Sequence, residues 1–143
     1  MAMGESWCIN GIKNLFYNTF HGTSAMEEFE IFFFSNNFTP TSSCVNSDLT
    51  EIGTSSGLGR ITLESSLFGT AFVTVGTSTV ISVPYKLNEG IEFSITDSQI
   101  MYGYALRGIT TENIYYLKNV GLHSFVSGDT YTLNPFEIRI DIG

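Results

Sequence analysis

Positive charge is scarce in this sequence. Six Lys and Arg stand against fourteen Asp and Glu, for a net charge of −8. Lys13, Arg60, Lys86, Arg107, Lys118 and Arg139 are spread singly along the chain. Nucleic-acid binding is not expected, because it needs grouped cations to neutralise phosphates. The same dispersal argues against an anionic membrane surface. Long hydrophobic runs are missing too, and no stretch approaches the ~18 apolar residues of a membrane-crossing helix. The opening "MAMGESWCINGIKN" has Glu5 where a secretory signal wants positive charge and contains no A-x-A-like cleavage site. A protein made and kept in a cytoplasm is therefore expected. Cysteine is limited to Cys8 and Cys44. They could pair, but in a reducing compartment two free, partly buried thiols are expected, and no function is assigned to them.

Recognisable chemistry is also sparse. His21 and His123 lie in turn-like contexts, "TFHGT" and "GLHSF", with no G-x-S-x-G nucleophile motif nearby. Cys8, His21, Cys44 and His123 show none of the short spacings that pre-position zinc ligands. "SSGLGR" contains G-x-G but lacks the third glycine of a dinucleotide loop and any G-K-[ST], so its glycines read as turn residues with positive φ. Asp48, Asp97 and Asp129 read as Asx-type turn residues rather than calcium ligands. The sequence predicts no catalytic residue, metal or cofactor, and a small hydrolase or metalloenzyme is the least favoured reading.

What is present is β-forming sequence. Hydrophobic residues make up 43% of the chain and aromatics 14%, with twelve Phe and seven Tyr, while charged residues reach only 14%. A chain of this composition builds its own core and presents a surface of Ser, Thr, Asn and Gly. From residue 27 the segments "EFEIFFFS", "GRITLESSLF", "TAFVTV", "STVISV", "IEFSIT", "QIMYGYALRG", "NIYYLKN", "DTYTL" and "FEIRIDI" recur at short intervals between Gly, Asn, Asp and Ser. Such spacing predicts an all-β domain over 27–143, an antiparallel β-sandwich with no βαβ crossover. In the first strand Phe29, Ile31 and Phe33 fall on one face and Glu28, Glu30 and Phe32 on the other. In the last, Ile138, Ile140 and Ile142 are expected to face the core and Glu137, Arg139 and Asp141 to face outward. The final strand is thus expected to be part of the fold, leaving attachment to the N-terminal segment or to the faces and loops.

Residues 1–26 form a separate N-terminal segment in this reading. Ile9, Ile12, Leu15, Phe16 and Phe20 recur at three- and four-residue spacing, which predicts a short amphipathic helix within 1–20 that caps the sheet or docks on a neighbour. The polar connection at 39–59 is the one long loop and a candidate contact. The four tyrosines Tyr102, Tyr104, Tyr115 and Tyr116 fall on neighbouring predicted strands, where they would either stack on sugars or pack across the strands.

Three patterns then come together. "FEIFFFSNNFTPTSSCVNSDLTE" joins a strand to Asn36-Asn37, Thr39-Pro40 and an Asp48 to Glu51 segment leading into Gly57 to Arg60. "FSITDSQIMYGYALRG" places Tyr102-Gly103-Tyr104 in a strand, and "GDTYTLNPFEIRIDI" follows near the end. Over roughly residues 28–142 this order resembles a diffuse family of small virion proteins encoded among the structural genes of tailed bacteriophages. The resemblance implies a jelly-roll-like, non-enzymatic structural protein of the virion, made in the host cytoplasm. It would act as a decoration or cement protein bound to the major capsid protein or other virion proteins, as a homotrimer suited to threefold positions. Interface candidates are Trp7, Ile12, Phe16 and Phe20 in the N-terminal segment and Phe38, Pro40 and Leu49 in the long loop. The alternative is a tail- or fibre-associated adhesin of the same fold, binding a host glycan through Tyr102, Tyr104, Tyr115 and Tyr116.

Overall fold

A computed structural model describes residues 4–11, 13, 28–63, 71–73, 78–83, 91–134 and 136–141, with only the backbone path described at 63, 71–73, 78–83 and 136–141. The described chain is all-β and antiparallel. Its strands are β1 (Glu5–Trp7), β2 (Phe29–Phe34), β3 (Ile61–Leu63), β4 (Ala71–Val73), β5 (Ser78–Val83), β6 (Ile91–Ser94), β7 (Gln99–Gly108), β8 (Ile114–Phe125), β9 (Thr130–Leu133) and β10 (Phe136–Asp141). They form a five-stranded sheet in the order β1-β8-β7-β2-β3, a three-stranded sheet β10-β5-β4 and a two-stranded sheet β6-β9. All nine strands expected from residue 27 onward are present.

The N-terminal segment opens as a strand and then turns helical. Residues 9–11 and 13 are helical, but Glu5–Trp7 form an edge strand whose register pairs Glu5 with Lys118, Ser6 with Leu117 and Trp7 with Tyr116. Pairing with β8 satisfies the backbone groups of Glu5–Trp7, and the three- and four-residue spacing of apolar side chains begins only after this strand, at Ile9, where the described backbone is helical. Glu5–Trp7 are paired into the five-stranded sheet. Ile12, Phe16 and Phe20 lie outside the described residues.

The strand "FEIFFF" is buried on both faces, and the pleat sorts its side chains. Ile31 and Phe33 join one core with Trp7, Met101, Tyr104, Leu106, Tyr116 and Phe125, together with Phe93 and Leu133 from the β6-β9 pair. Phe32 and Phe34 join a second core with Ala105, Ile114, Leu117, Leu49, Cys8 and Cys44. β6 and β9, with Ile52 and Leu58 of the β2–β3 connection, therefore cover one face of the five-stranded sheet, and Cys44 and Leu49 of that connection cover the other. Phe33 anchors the first contact, edge-on to Phe93 at 5.1 Å and to Tyr131 at 5.9 Å between ring centroids. Full burial of each such side chain contributes about 1.5–3 kcal/mol.

Two irregularities in the β7–β8 ladder aim its side chains. Leu106 pairs with Tyr116 and Arg107 with Ile114, so Tyr115 is an extra residue on β8. This bulge turns Tyr115 into the same core as Tyr116 instead of the opposite face. Nearer the other end Met101 pairs with His123 and Gly103 with Asn119. β8 continues to Phe125, which places His123 in a strand and not in the expected turn. Gly103 lies where a Cβ would come within 2.0 Å of the Lys118 carbonyl oxygen and 2.5 Å of the Phe34 ring. Only glycine lets β8 and Phe34 approach this closely.

In the β10-β5-β4 sheet the register pairs Ile138 with Ile81, Arg139 with Val80 and Ile140 with Thr79. β10 is thus paired into a sheet, as the alternation predicts. Whether its isoleucines face a core lies outside the described side chains.

Candidate functional site

The connection from β2 to β3, residues 35–60, is long and polar, yet it is pinned along its length. Asn36 closes its first half: its amide Nδ2 donates to the Asp48 carbonyl at 2.8 Å and its Oδ1 accepts from the Thr50 N–H at 2.7 Å. Backbone bonds from Ser35 N–H to the Thr50 carbonyl (2.8 Å) and from Ile52 N–H to the Phe33 carbonyl (2.9 Å) lay residues 50–52 along the end of β2. Asp48 ends a 3-10 turn (Asn46–Asp48) and accepts from the Val45 N–H at 3.0 Å, the turn role its sequence context suggests. A second 3-10 turn (Thr54–Ser56) closes on Gly57 at φ +99°. A Cβ at Gly57 would come within 2.1 Å of the Ser94 carbonyl oxygen. The turn reading of "SSGLGR" holds at this residue.

Beneath the loop lies a charge network. Register places Glu30 of β2 directly opposite Arg107 of β7. The Arg107 side chain is 4% exposed and that of Glu30 10%. Arg107 donates to Glu30 Oε1 from Nε at 2.9 Å and from Nη2 at 2.6 Å. It also donates to Asn46 Oδ1 from Nη1 at 2.9 Å and to Glu51 Oε1 from Nη2 at 3.2 Å. Its guanidinium carbon sits 4.1 Å from the Phe32 ring centroid. Arg60 reaches the same Glu51 with two bonds, Nε to Oε2 at 2.6 Å and Nη2 to Oε1 at 3.0 Å. One buried cation thus ties two strands and two points of the loop together, using the planar fork that arginine alone offers.

The titration of Glu51 follows from this geometry. Burial acts to raise its pKa, but the bonds from Arg60 and the charges of Arg107 and Arg60 outweigh burial and hold it below the ordinary value of 4.5. The bond to Glu51 in turn pushes Arg60 up. Because the folded value is depressed, the contribution of ionised Glu51 is fully present above 4.5 and is lost as pH falls through the lowered folded value. Urea unfolding between about pH 6 and about pH 3 is expected to show stability falling more steeply in the parent protein than in Glu51→Gln. Equal slopes would count against the network as a source of acid sensitivity.

The cysteines are not free. Cys8 and Cys44 form a disulfide with Cα atoms 5.4 Å apart, joining the end of β1 to the long loop. Residues 36 apart in sequence meet because β1 occupies the β8 edge while the loop folds back across the same face. With both thiols engaged, neither is available to a metal.

The sequence-derived candidates divide by burial. Trp7 is 6% exposed, packed at 66° and 5.8 Å on Tyr116, and Leu49 is 8% exposed. Both are core residues, placed there by β1 pairing and by the loop turning inward, and neither presents a side chain to a partner. Phe38 and Pro40 stay half-buried in the loop. Of the four tyrosines, Tyr104, Tyr115 and Tyr116 are 5%, 2% and 3% exposed, and Tyr102 alone is half-buried. Burial, then the neighbouring Tyr131 and Glu5, pushes the Tyr104 phenol up, and burial with a bond to the Glu5 carboxylate does the same to Tyr116. Cross-strand packing accounts for these three rings.

Two features escaped sequence reasoning. The first is the arginine network, signalled only by Glu30 and Arg107 each standing two residues from a core position, Phe32 and Ala105. The second is a set of exposed aliphatics near one end of the β7–β8 pair: Ile100 at 44%, Leu122 at 59% and Val126 at 59%. No protein-family model, curated protein or solved structure matches the chain.

Proposed function

We propose that this chain is a non-enzymatic virion structural protein of a tailed bacteriophage, a jelly-roll-like β-sandwich that decorates or cements the capsid as a homotrimer. The observation that carries this reading is the build of the long loop. Residues 35–50 hold a single charged side chain, Asp48, and display Asn37, Thr39, Thr41, Ser42, Ser43, Ser47 and Thr50 to solvent. Arg107 and the disulfide hold that neutral surface in place from below. A rigid, uncharged platform suits contacts repeated around a symmetry axis, where like charges would otherwise meet and where ordering a flexible loop would cost affinity. Phe38 and Pro40 are its apolar contact points. The partner in this reading is the major capsid protein.

Quantitative mass spectrometry of purified particles tests the proposal. Copies on the order of hundreds per particle are expected for a shell component repeated by symmetry. Absence from the particle, or a handful of copies confined to the tail, would overturn it.

A further inference from the structure

The arrangement around the Cys8–Cys44 bond carries a second inference, independent of where the protein works. Both cysteines are sealed, at 0% and 1% exposure, among Phe32, Phe34, Ala105, Ile114 and Leu117. Thiol–disulfide exchange requires a thiolate to reach one sulfur, and the folded core denies it that approach. The two ends of the bond, however, sit on a short edge strand and on a turn of the long loop. β1 has three residues and lies at the sheet edge. Beyond it the Cys8 N–H donates to the Tyr115 carbonyl at 2.9 Å and the Ile9 N–H to the Ser42 carbonyl at 2.7 Å. The 41–45 turn is held on its own side by a long bond of 3.4 Å from Cys44 N–H to the Thr41 carbonyl, and at its end by the Val45 N–H to Asp48 Oδ2 at 3.0 Å. The rest of the loop is anchored through Arg107, Asn36 and Asp48, which the disulfide does not touch.

We propose that Cys8–Cys44 is a redox latch. As a disulfide it makes β1 and the 41–45 turn open only together, so the sulfurs stay out of reach of thiol reductants. As two thiols it lets each open alone, while the β2–β7–β8 sheet and the arginine-held part of the loop remain folded. In a reducing compartment the latch is open and in an oxidising medium it closes. Opening by a dithiol proceeds by thiolate attack on one cysteine sulfur, releasing the other as a thiolate. The second thiol of the reagent then displaces the mixed disulfide. Two electrons pass to the protein, its thiolates take up two protons, and the reagent leaves as a cyclic disulfide. A small-molecule disulfide drives the same steps in reverse.

Hydrogen exchange on the full chain tests this in three forms: oxidised, reduced with dithiothreitol, and the Cys8→Ala/Cys44→Ala variant. In the last two, amides at 5–9 and 42–45 are expected to exchange at least about tenfold faster than in the oxidised protein, with those of β2 and β7 unchanged. Reduction of the oxidised protein should be slow and should speed up in urea too dilute to unfold it. Three results would each overturn the latch: unchanged exchange at 5–9 and 42–45, loss of protection throughout the sheet on reduction or in the variant, or rapid reduction of the folded protein.

Discussion

Arg107→Met is expected to destabilise the fold by about 3–5 kcal/mol, because it leaves Glu30 buried without its cation. In the parent protein the Glu30 side chain is 10% exposed and receives two bonds from one guanidinium, at 2.9 and 2.6 Å. Methionine keeps most of the stem volume, so the loss reports on the stranded carboxylate and on the severed tie to Asn46 rather than on a cavity. The pair as a whole is a different matter. Removing two buried charges together is often neutral or stabilising when the replacements pack well. The double variant Arg107→Met/Glu30→Leu should therefore recover much of the loss while leaving the loop less protected against hydrogen exchange, since Asn46 loses its cation and Glu51 keeps only Arg60. Urea unfolding of both variants measures the difference. A single-variant loss below about 1 kcal/mol would show that Glu30 finds water or another partner and that the network is not truly buried.

The other large effect is expected at Phe33. Phe33→Ala should cost about 3–5 kcal/mol, combining lost burial with a cavity its neighbours cannot fill. Phe33 is 1% exposed and its ring meets Phe93 and Tyr131 edge-on, at 83° and 90°. It is an aromatic bridge between the five-stranded sheet and the β6-β9 pair, beside the contacts of Phe125 and His123 with Tyr131. Phe33→Leu keeps most of the apolar volume but loses both edge contacts, and should cost distinctly less. Thermal unfolding followed by near-ultraviolet circular dichroism separates the two. Equal losses for alanine and leucine would mean that the ring geometry, and not the filled volume, holds β6-β9 in place.

Much of the fold was legible because it rests on local rules. The alternation of "FEIFFF" and of "FEIRID", the Val, Ile, Thr, Tyr and Phe content of the strands, and turn residues such as Asp48 and Gly57 each act within a few residues. Reading strand against loop needs nothing further. The edge strand β1 was not legible, since three residues carry no period of their own and the pairing partner on β8 is more than a hundred residues away, Trp7 against Tyr116. The placement of the paired tyrosines on β8 was not legible for a related reason. Strict alternation would send Tyr115 and Tyr116 to opposite faces, and a one-residue bulge sends both inward.

The candidate site was legible only as a stretch of sequence. The long loop stood out by its polarity and length, but nothing local says that Arg107, 77 residues from Glu30, is the cation beneath it. Sequence alone determined that this is an antiparallel all-β chain with one long polar connection, because period, propensity and turn chemistry are properties of neighbouring residues. The tertiary structure decided that Glu30, Glu51 and Asn46 share one arginine, that Cys8 meets Cys44, and that Trp7 and Leu49 turn inward. Those outcomes depend on strand order and register, which bring distant residues to one face and make each buried charge or thiol find the partner that burial requires.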